Sequence, residues 1–88
     1  MKAVLIYEMG DISMDKVMEV FPRHKAVMEP LVEKKEIIGI GPFDGGKNGS
    51  MGIFKSREAA EAFVKVDPFV LEGVVSKYTI YEWGDRQL

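Results

Sequence analysis

The sequence predicts an α+β fold in which a four-stranded antiparallel sheet carries two helices on one face. Short apolar runs at residues 2–8, 37–43, 50–55 and 74–83 are typical of strands. Two intervening segments repeat apolar residues at helical spacing, which gives the order βαββαβ. This is the order of a ferredoxin-like sandwich, in which all four strands share one sheet.

The first helical segment contains two prolines. Asp11 or Ser13 is suited to cap its start, because both side chains accept hydrogen bonds from the first turn. Pro22 then interrupts the pattern, so we expect a break there and a second helical segment over residues 22–36. We expect Pro30 to bend this second segment.

The second half of the chain reads as a hairpin, a helix and a last strand. Turn-forming residues at 44–49 separate two strand patterns, which is typical of a hairpin loop. Ser56 is expected to cap the second helix, and Pro68 to end it. Residues 84–88 follow the last strand as a short tail of a single predicted domain of 88 residues.

Composition narrows the classes of function. Apolar residues make up 47% of the chain and charged residues 30%, which is ordinary for a soluble globular domain. The formal net charge is −2 and basic residues are scattered among acidic ones, so we expect no nucleic-acid partner. No apolar run approaches the roughly 20 residues of a membrane span. The first run is short and closely followed by Glu8 and Asp11, which is typical of a strand rather than a signal peptide.

The side chains available for chemistry are few. The absence of cysteine excludes disulfides and thiolate catalysis, and is consistent with a cytoplasmic location. With one histidine and no clustered carboxylates, the sequence predicts no metal site. We expect no cofactor.

His24 and Asp67 are the candidate acid–base residues. A lone histidine is often structural, and His24 is expected in the first turn of the helix that restarts at Pro22. Asp67 precedes a proline, so it is either a helix-stop residue or a carboxylate held by a rigid turn. A carboxylate paired with imidazole fixes its tautomer and raises its basicity. Arg23 points about 100° away from His24 on a helix and is either solvated or a partner for an anionic substrate.

Glycines on the predicted hairpin suggest a pocket. Gly39 and Gly41 are two residues apart on one strand, so their missing side chains open space on the same face. Gly52 on the next strand would extend that space. The same glycines are equally consistent with sheet twist, a bulge or close helix packing.

Three short motifs carry a resemblance to a known family. They are Gly-Pro-Phe at 41–43, Ser-Arg-Glu-Ala-Ala at 56–60, and DPFVLEGVV at 67–75, followed by a strand with alternating aromatic residues. With these motifs, residues 1 to about 83 resemble the YciI-like (YCII-related) family of small dimeric α+β barrel proteins. The resemblance implies a ferredoxin-like fold that dimerises through its sheets.

The resemblance also implies a site. In the family a histidine on the first helix faces the aspartate of the DPF motif, and these positions are His24 and Asp67. Positions around that cleft, or beside the histidine, are expected to bind substrate: Gly41, Pro42, Phe69 and Arg23. We expect this cleft to be closed by a second subunit, because the predicted helices cover one face of the sheet while the other face also carries apolar residues. A monomer with a partly exposed sheet is the alternative.

Relatives of the family include muconolactone dehalogenases. The resemblance therefore implies a site and not a substrate. As the leading hypothesis we expect a homodimeric, cofactor-independent enzyme, similar to muconolactone isomerases or dehalogenases, that uses a His-Asp pair for acid–base chemistry on a small organic acid or lactone. A non-catalytic module that senses small molecules or binds another protein is the alternative. A haem- or quinone-handling monooxygenase of the same fold is a third possibility.

Overall fold

The computed structural model describes residues 1–86 and has the predicted order of elements, with one additional short helix. The strands are β1 (Lys2–Met9), β2 (Ile37–Pro42), β3 (Ser50–Phe54) and β4 (Val75–Trp83), and the helices are α1 (Met14–Glu33), α2 (Arg57–Val64) and α3 (Pro68–Leu71). All strand pairs are antiparallel, in the order β2-β3-β1-β4. The predicted ferredoxin-like α+β class is confirmed. Residues 87 and 88 of the predicted tail lie outside the described residues.

The core lies between the sheet and the helices. Alternate residues of the central strand β1 point towards the helices and are almost fully buried: Ala3, Leu5 and Tyr7. Phe54 from β3 and Phe63 from α2 pack into the same cluster. The opposite face of β1 is only half-buried in the single chain. Within residues 1–86, no helix has the length and apolar composition needed to cross a bilayer.

The long helix α1 runs through both of its prolines, so the predicted restart at Pro22 is wrong. A proline at position i leaves the carbonyl of residue i−4 without its helical partner. Here those carbonyls belong to Met18 and Ala26, and both residues are exposed, as are Pro22 and Pro30. Water is therefore available to the two carbonyls, which lowers the cost of continuing the helix. As a consequence His24 lies in the middle of α1 and not in a first turn.

The turn between α2 and α3 also differs from its prediction. Ser56 caps α2 as expected, by accepting a hydrogen bond from the backbone of Ala59. Pro68, however, does not end that helix, because α2 stops at Val64. Pro68 is instead the first residue of α3, a position that its fixed φ suits. Asp67 is the N-cap of this new helix rather than the last residue of the old one.

The hairpin loop brings β3 close to β1 at the level of Tyr7. A short 3₁₀ turn, Asp44–Gly46, lies inside the loop. Gly49 follows with a φ of +83°, and a β-carbon there would overlap the carbonyl oxygen of Tyr7. Position 49 therefore requires glycine both for its backbone conformation and for this close approach.

We expect Gly49→Ala to lower the free energy of unfolding by about 1–3 kcal/mol or more, since about 1–3 kcal/mol is the usual cost of one strained residue. Urea denaturation would measure this loss. Gly39→Ala is the matched control, because its φ is ordinary and nothing lies within 4 Å of a β-carbon at that position. Equal losses for the two variants would contradict the prediction.

Candidate active site

The fold brings His24 and Asp67 together. The middle of α1 supplies His24, and the N-cap of α3 supplies Asp67. Nδ1 of the imidazole lies 2.7 Å from Oδ1 of the carboxylate. Asp67 is fully buried and His24 is only 7% exposed, so water competes little for this contact. Buried polar groups of this kind are expensive unless they are hydrogen-bonded.

Three donors surround the Asp67 carboxylate. The imidazole and the backbone N–H of Phe69, at 3.1 Å, reach Oδ1, and the hydroxyl of Tyr7 donates to Oδ2 at 2.6 Å. The Phe69 bond is the capping interaction of α3. The residue that begins a helix is therefore also the partner of the histidine.

These contacts assign the tautomer of His24. An ionised carboxylate only accepts hydrogen bonds, so Nδ1 of the imidazole carries the proton and donates it to Asp67. Nε2 then carries a lone pair. Among the described residues no buried side-chain nitrogen or oxygen lacks a partner, and Nε2 forms no hydrogen bond, so Nε2 is accessible. The ring of Phe69 stacks on the imidazole at 4.0 Å with an interplanar angle of 9°, which fixes the ring plane.

A cavity of about 370 Å³ adjoins His24, between α1 and the sheet. Its wall consists mainly of aliphatic, aromatic, methionine and glycine residues. Among the described residues, its polar side chains are those of Tyr7, His24 and Ser50, and its wall contains no aspartate, glutamate, lysine or arginine. Because an apolar cavity of about 150 Å³ holds one benzene, this space suits a single substituted ring.

The cavity includes most of the predicted substrate-binding positions. Gly41, Pro42 and Phe69 lie in its wall. Arg23 does not, because its guanidinium forms a bidentate ion pair with the carboxylate of Glu72 at 2.7 Å. The position predicted to hold an anionic substrate group is thus engaged elsewhere. Within residues 1–86 no cluster of three carboxylate or imidazole groups is placed to hold a metal ion.

The predicted glycine floor is present only in part. A β-carbon at Gly52 would lie 3.0 Å from the ring of Phe54 and 3.4 Å from the side chain of Ile40, so Gly52 faces the helices and keeps the cavity open. Gly39 and Gly41 face the other side of the sheet, where a β-carbon would meet nothing within 4 Å. Gly41 still borders the cavity, and Gly39 does not.

The ion pair of Arg23 and Glu72 joins the same two helices on their solvent side. Arg23 precedes His24 on α1, and Glu72 is the C-cap of α3. The hydrogen bonds from Arg23, and secondarily its charge and that of Lys16, hold the pKa of Glu72 below its ordinary value. The same bonds raise the pKa of Arg23.

Tyr7 is the member of this network that the sequence reasoning missed. Strand alternation puts Tyr7 on the same face of β1 as Ala3 and Leu5, but an alternating tyrosine is usually only part of the core. Burial, followed by the hydrogen bond and the charge of Asp67, raises the pKa of Tyr7 well above its ordinary value. The hydroxyl therefore remains a donor.

Comparison with known proteins agrees with these observations. The sequence matches the YCII-related domain family over residues 1–84, which confirms the resemblance. The fold matches a structure of 5-chloro-2-hydroxyhydroquinone dehydrochlorinase from Burkholderia phenoliruptrix AC1100 in complex with 2,5-dihydroxybenzoquinone. The TM-score is 0.76 and the identity 25%, over 94% of this chain and 93% of that one.

A second match shows the fold alone. It is a crystal structure of an Arabidopsis thaliana protein, with a TM-score of 0.50 and 17% identity, over 99% of this chain and 96% of that one. No curated protein matches the chain at a significant level.

The ion pair of Glu72 predicts a pH-dependent contribution to stability. Because its pKa is lower in the folded state, the contribution is fully present above the ordinary glutamate pKa of about 4.3 and is lost as the pH falls through the lower folded value. We expect Glu72→Gln to lower the melting temperature at pH 6 and to have a diminishing effect towards pH 3. Glu29→Gln is the control, because Glu29 is exposed and forms no ion pair in the described chain. A Glu72→Gln effect that is constant over this pH range would contradict the prediction.

Proposed function

We propose that this chain, which belongs to the YCII-related family, is a small homodimeric enzyme that uses His24 and Asp67 for acid–base chemistry on a cyclic substrate, without a cofactor. The observation that carries the proposal is the buried pair at 2.7 Å, with the accessible Nε2 of its imidazole beside an apolar cavity. A site with one accessible base in a mostly apolar wall is a common arrangement for small-molecule catalysis.

In the proposed reaction, Nε2 of His24 removes a proton from a ring hydroxyl of the substrate, or from a carbon next to a carbonyl. Asp67 stabilises the imidazolium that forms, and the stacked Phe69 keeps the ring in plane. If the imidazolium returns the proton to another atom of the substrate, the result is isomerisation. If the electron pair instead expels a leaving group such as chloride, the result is elimination of one proton and one halide.

The wall of the cavity favours a substrate without a carboxylate. A carboxylate that enters an apolar cavity loses its hydration, and this is costly unless a cation replaces the water. The described wall offers no lysine or arginine, and Arg23 is bound to Glu72. Of the small organic acids and lactones that the sequence suggested, a lactone or a hydroxylated ring fits this wall better than a free acid.

The dehydrochlorinase to which the chain is similar supports the same class of substrate, a hydroxylated ring. The Burkholderia phenoliruptrix protein, at 25% identity, is a dehydrochlorinase of a chlorinated hydroxyhydroquinone, and its structure contains 2,5-dihydroxybenzoquinone. An elimination of this kind uses the proton removal described above. We therefore propose hydroxylated and chlorinated six-membered rings as the first substrates to test.

The face of the sheet away from the helices supports the proposed homodimer. Val4, Ile6, Met51 and Ile53 lie together on this face, because they pair with each other across β1 and β3. Tyr81 of β4 pairs with Val4 and is 60% exposed in the single chain. An apolar sheet face of this kind is typical of a protein interface. A second copy of the sheet would cover it.

We expect His24→Asn to reduce kcat/KM by about 10²–10⁴, the usual contribution of an acid–base residue. Asparagine keeps an N–H donor for Asp67 and removes the base, so the fold should survive. Chloride release from 5-chloro-2-hydroxyhydroquinone would measure turnover.

Arg23→Gln is the matched control for this variant, because Arg23 is the neighbouring residue and lies outside the cavity wall. Its activity should stay close to that of the wild type. Turnover that persists in His24→Asn would show that His24 is not the base. A ligand that binds to the wild-type protein in a thermal-shift screen and is recovered unchanged would favour the sensing module instead.

We expect the wild-type chain to sediment as a dimer, with twice the mass of the 9.9 kDa chain, and Ile53→Glu to sediment as a monomer. A carboxylate at position 53 would be buried without a partner in the proposed interface. Leu71→Glu is the control, because Leu71 is 64% exposed and lies on the helical side of the molecule. A monomeric wild type, or a dimeric Ile53→Glu, would contradict the proposed interface.

A further inference from the structure

We infer that Tyr7 is a positioning residue for the His24–Asp67 pair: its hydroxyl holds the Asp67 carboxylate in the orientation that keeps the proton of His24 on Nδ1 and the lone pair on Nε2. The catalytic meaning of this inference rests on the proposed function. The structural part concerns only the state of the imidazole and does not depend on turnover.

The first step of the argument is the division of the carboxylate between its donors. Tyr7 is the partner of Oδ2 at 2.6 Å, whereas His24 and the backbone of Phe69 both reach Oδ1. Since Asp67 is fully buried, water cannot replace a missing donor. Without the Tyr7 hydroxyl, Oδ2 would be a buried acceptor with no partner among the described residues. The carboxylate would gain by turning towards another donor, and the His24 contact would be disturbed.

The second step is that Tyr7 is held rigidly. It lies on the central strand β1, which pairs with β3 on one side and β4 on the other, and its own register partners are Ser50 and Tyr78. Gly49 packs directly against its backbone carbonyl. A hydroxyl on a side chain of this kind is a fixed reference point, which is what a positioning group requires.

The third step is that the hydroxyl has one role in the network. The ring of Tyr7 forms part of the cavity wall, but its oxygen is bonded to Asp67 and remains protonated because burial raises its pKa. Tyr7 therefore donates to Oδ2 whenever the chain is folded, and Oδ2 never acts as the acceptor for His24. The imidazole meets only Oδ1, in the geometry that aligns Nδ1.

A purely structural role is the competing explanation, because the same bond also ties the sheet to α3. The two roles differ in what they predict for the imidazole. A structural tie would affect the melting temperature and leave the tautomer unchanged. A positioning role changes the distribution of the proton between Nδ1 and Nε2 in a protein that is still folded.

The test is ¹⁵N NMR of the imidazole above neutral pH, on the wild type, Tyr7→Phe and Tyr78→Phe. The chain contains one histidine, so the ring signals belong to His24 without further assignment. Tyr78 is the matched control, because it is the register partner of Tyr7 on β4 and is 44% exposed. We expect the Nδ1–H tautomer in the wild type and in Tyr78→Phe, and a mixture of tautomers in Tyr7→Phe.

The inference is overturned if folded Tyr7→Phe keeps the wild-type tautomer. If Tyr7→Phe does not fold, the wild-type spectrum decides, because an Nε2–H tautomer or a mixture in the wild type would also overturn it. With a hydroxylated or chlorinated ring that the wild type turns over, we further expect Tyr7→Phe to lower kcat about 100-fold with little change in KM. Tyr7→Phe should add no further loss to Asp67→Asn, since Tyr7 acts through Asp67. A wild type without turnover would reject the proposed function and leave the NMR result standing.

Discussion

The buried carboxylate of Asp67 is the interaction on which the rest of the site depends. Removing a carboxylate from water costs several kcal/mol unless donors replace its hydration. Here the donors come from β1 through Tyr7, from α1 through His24 and from the start of α3 through the backbone of Phe69. The folded state therefore has to keep these three elements in a fixed arrangement. The geometry of the imidazole is a consequence of that requirement.

Capping and orientation are combined in one side chain, and this explains why a chain of 88 residues has room for a site. A domain this small buries roughly 60–65% of its unfolded surface and has little core to spare. Asp67 caps α3, accepts a hydrogen bond from Tyr7 of the sheet and orients His24. Because one side chain makes all three contacts, the site adds few polar groups to the interior. The absence of a side chain at Gly52 keeps part of the cavity open, because a side chain there would contact Phe54 and Ile40.

Local patterns were sufficient to predict the strands and the Ser56 cap, because each depends on neighbouring residues. The order of these elements then predicted the ferredoxin-like class. The local sequence offered His24 and Asp67 only as candidates, and it was the family resemblance that favoured their pairing across 43 positions. The predicted restart at Pro22 failed because the cost of a proline depends on whether the freed carbonyl reaches water, which local sequence does not show. Local sequence also could not show the contacts of Arg23 and Tyr7, because their partners Glu72 and Asp67 are far away in the sequence.

The cavity and the apolar surface that suits a partner lie on opposite faces of the sheet. The sequence led us to expect a cleft closed by a partner, and in the single chain α1 and the sheet already line the cavity beside His24. The apolar residues that suit a partner, such as Ile6 and Ile53, lie on the opposite face of the same strands. Strand alternation makes this division possible, because successive residues of β1 serve the cavity and the outer face in turn. Pairing through the outer face would stiffen the sheet that carries Tyr7 without adding a group to the pair of His24 and Asp67.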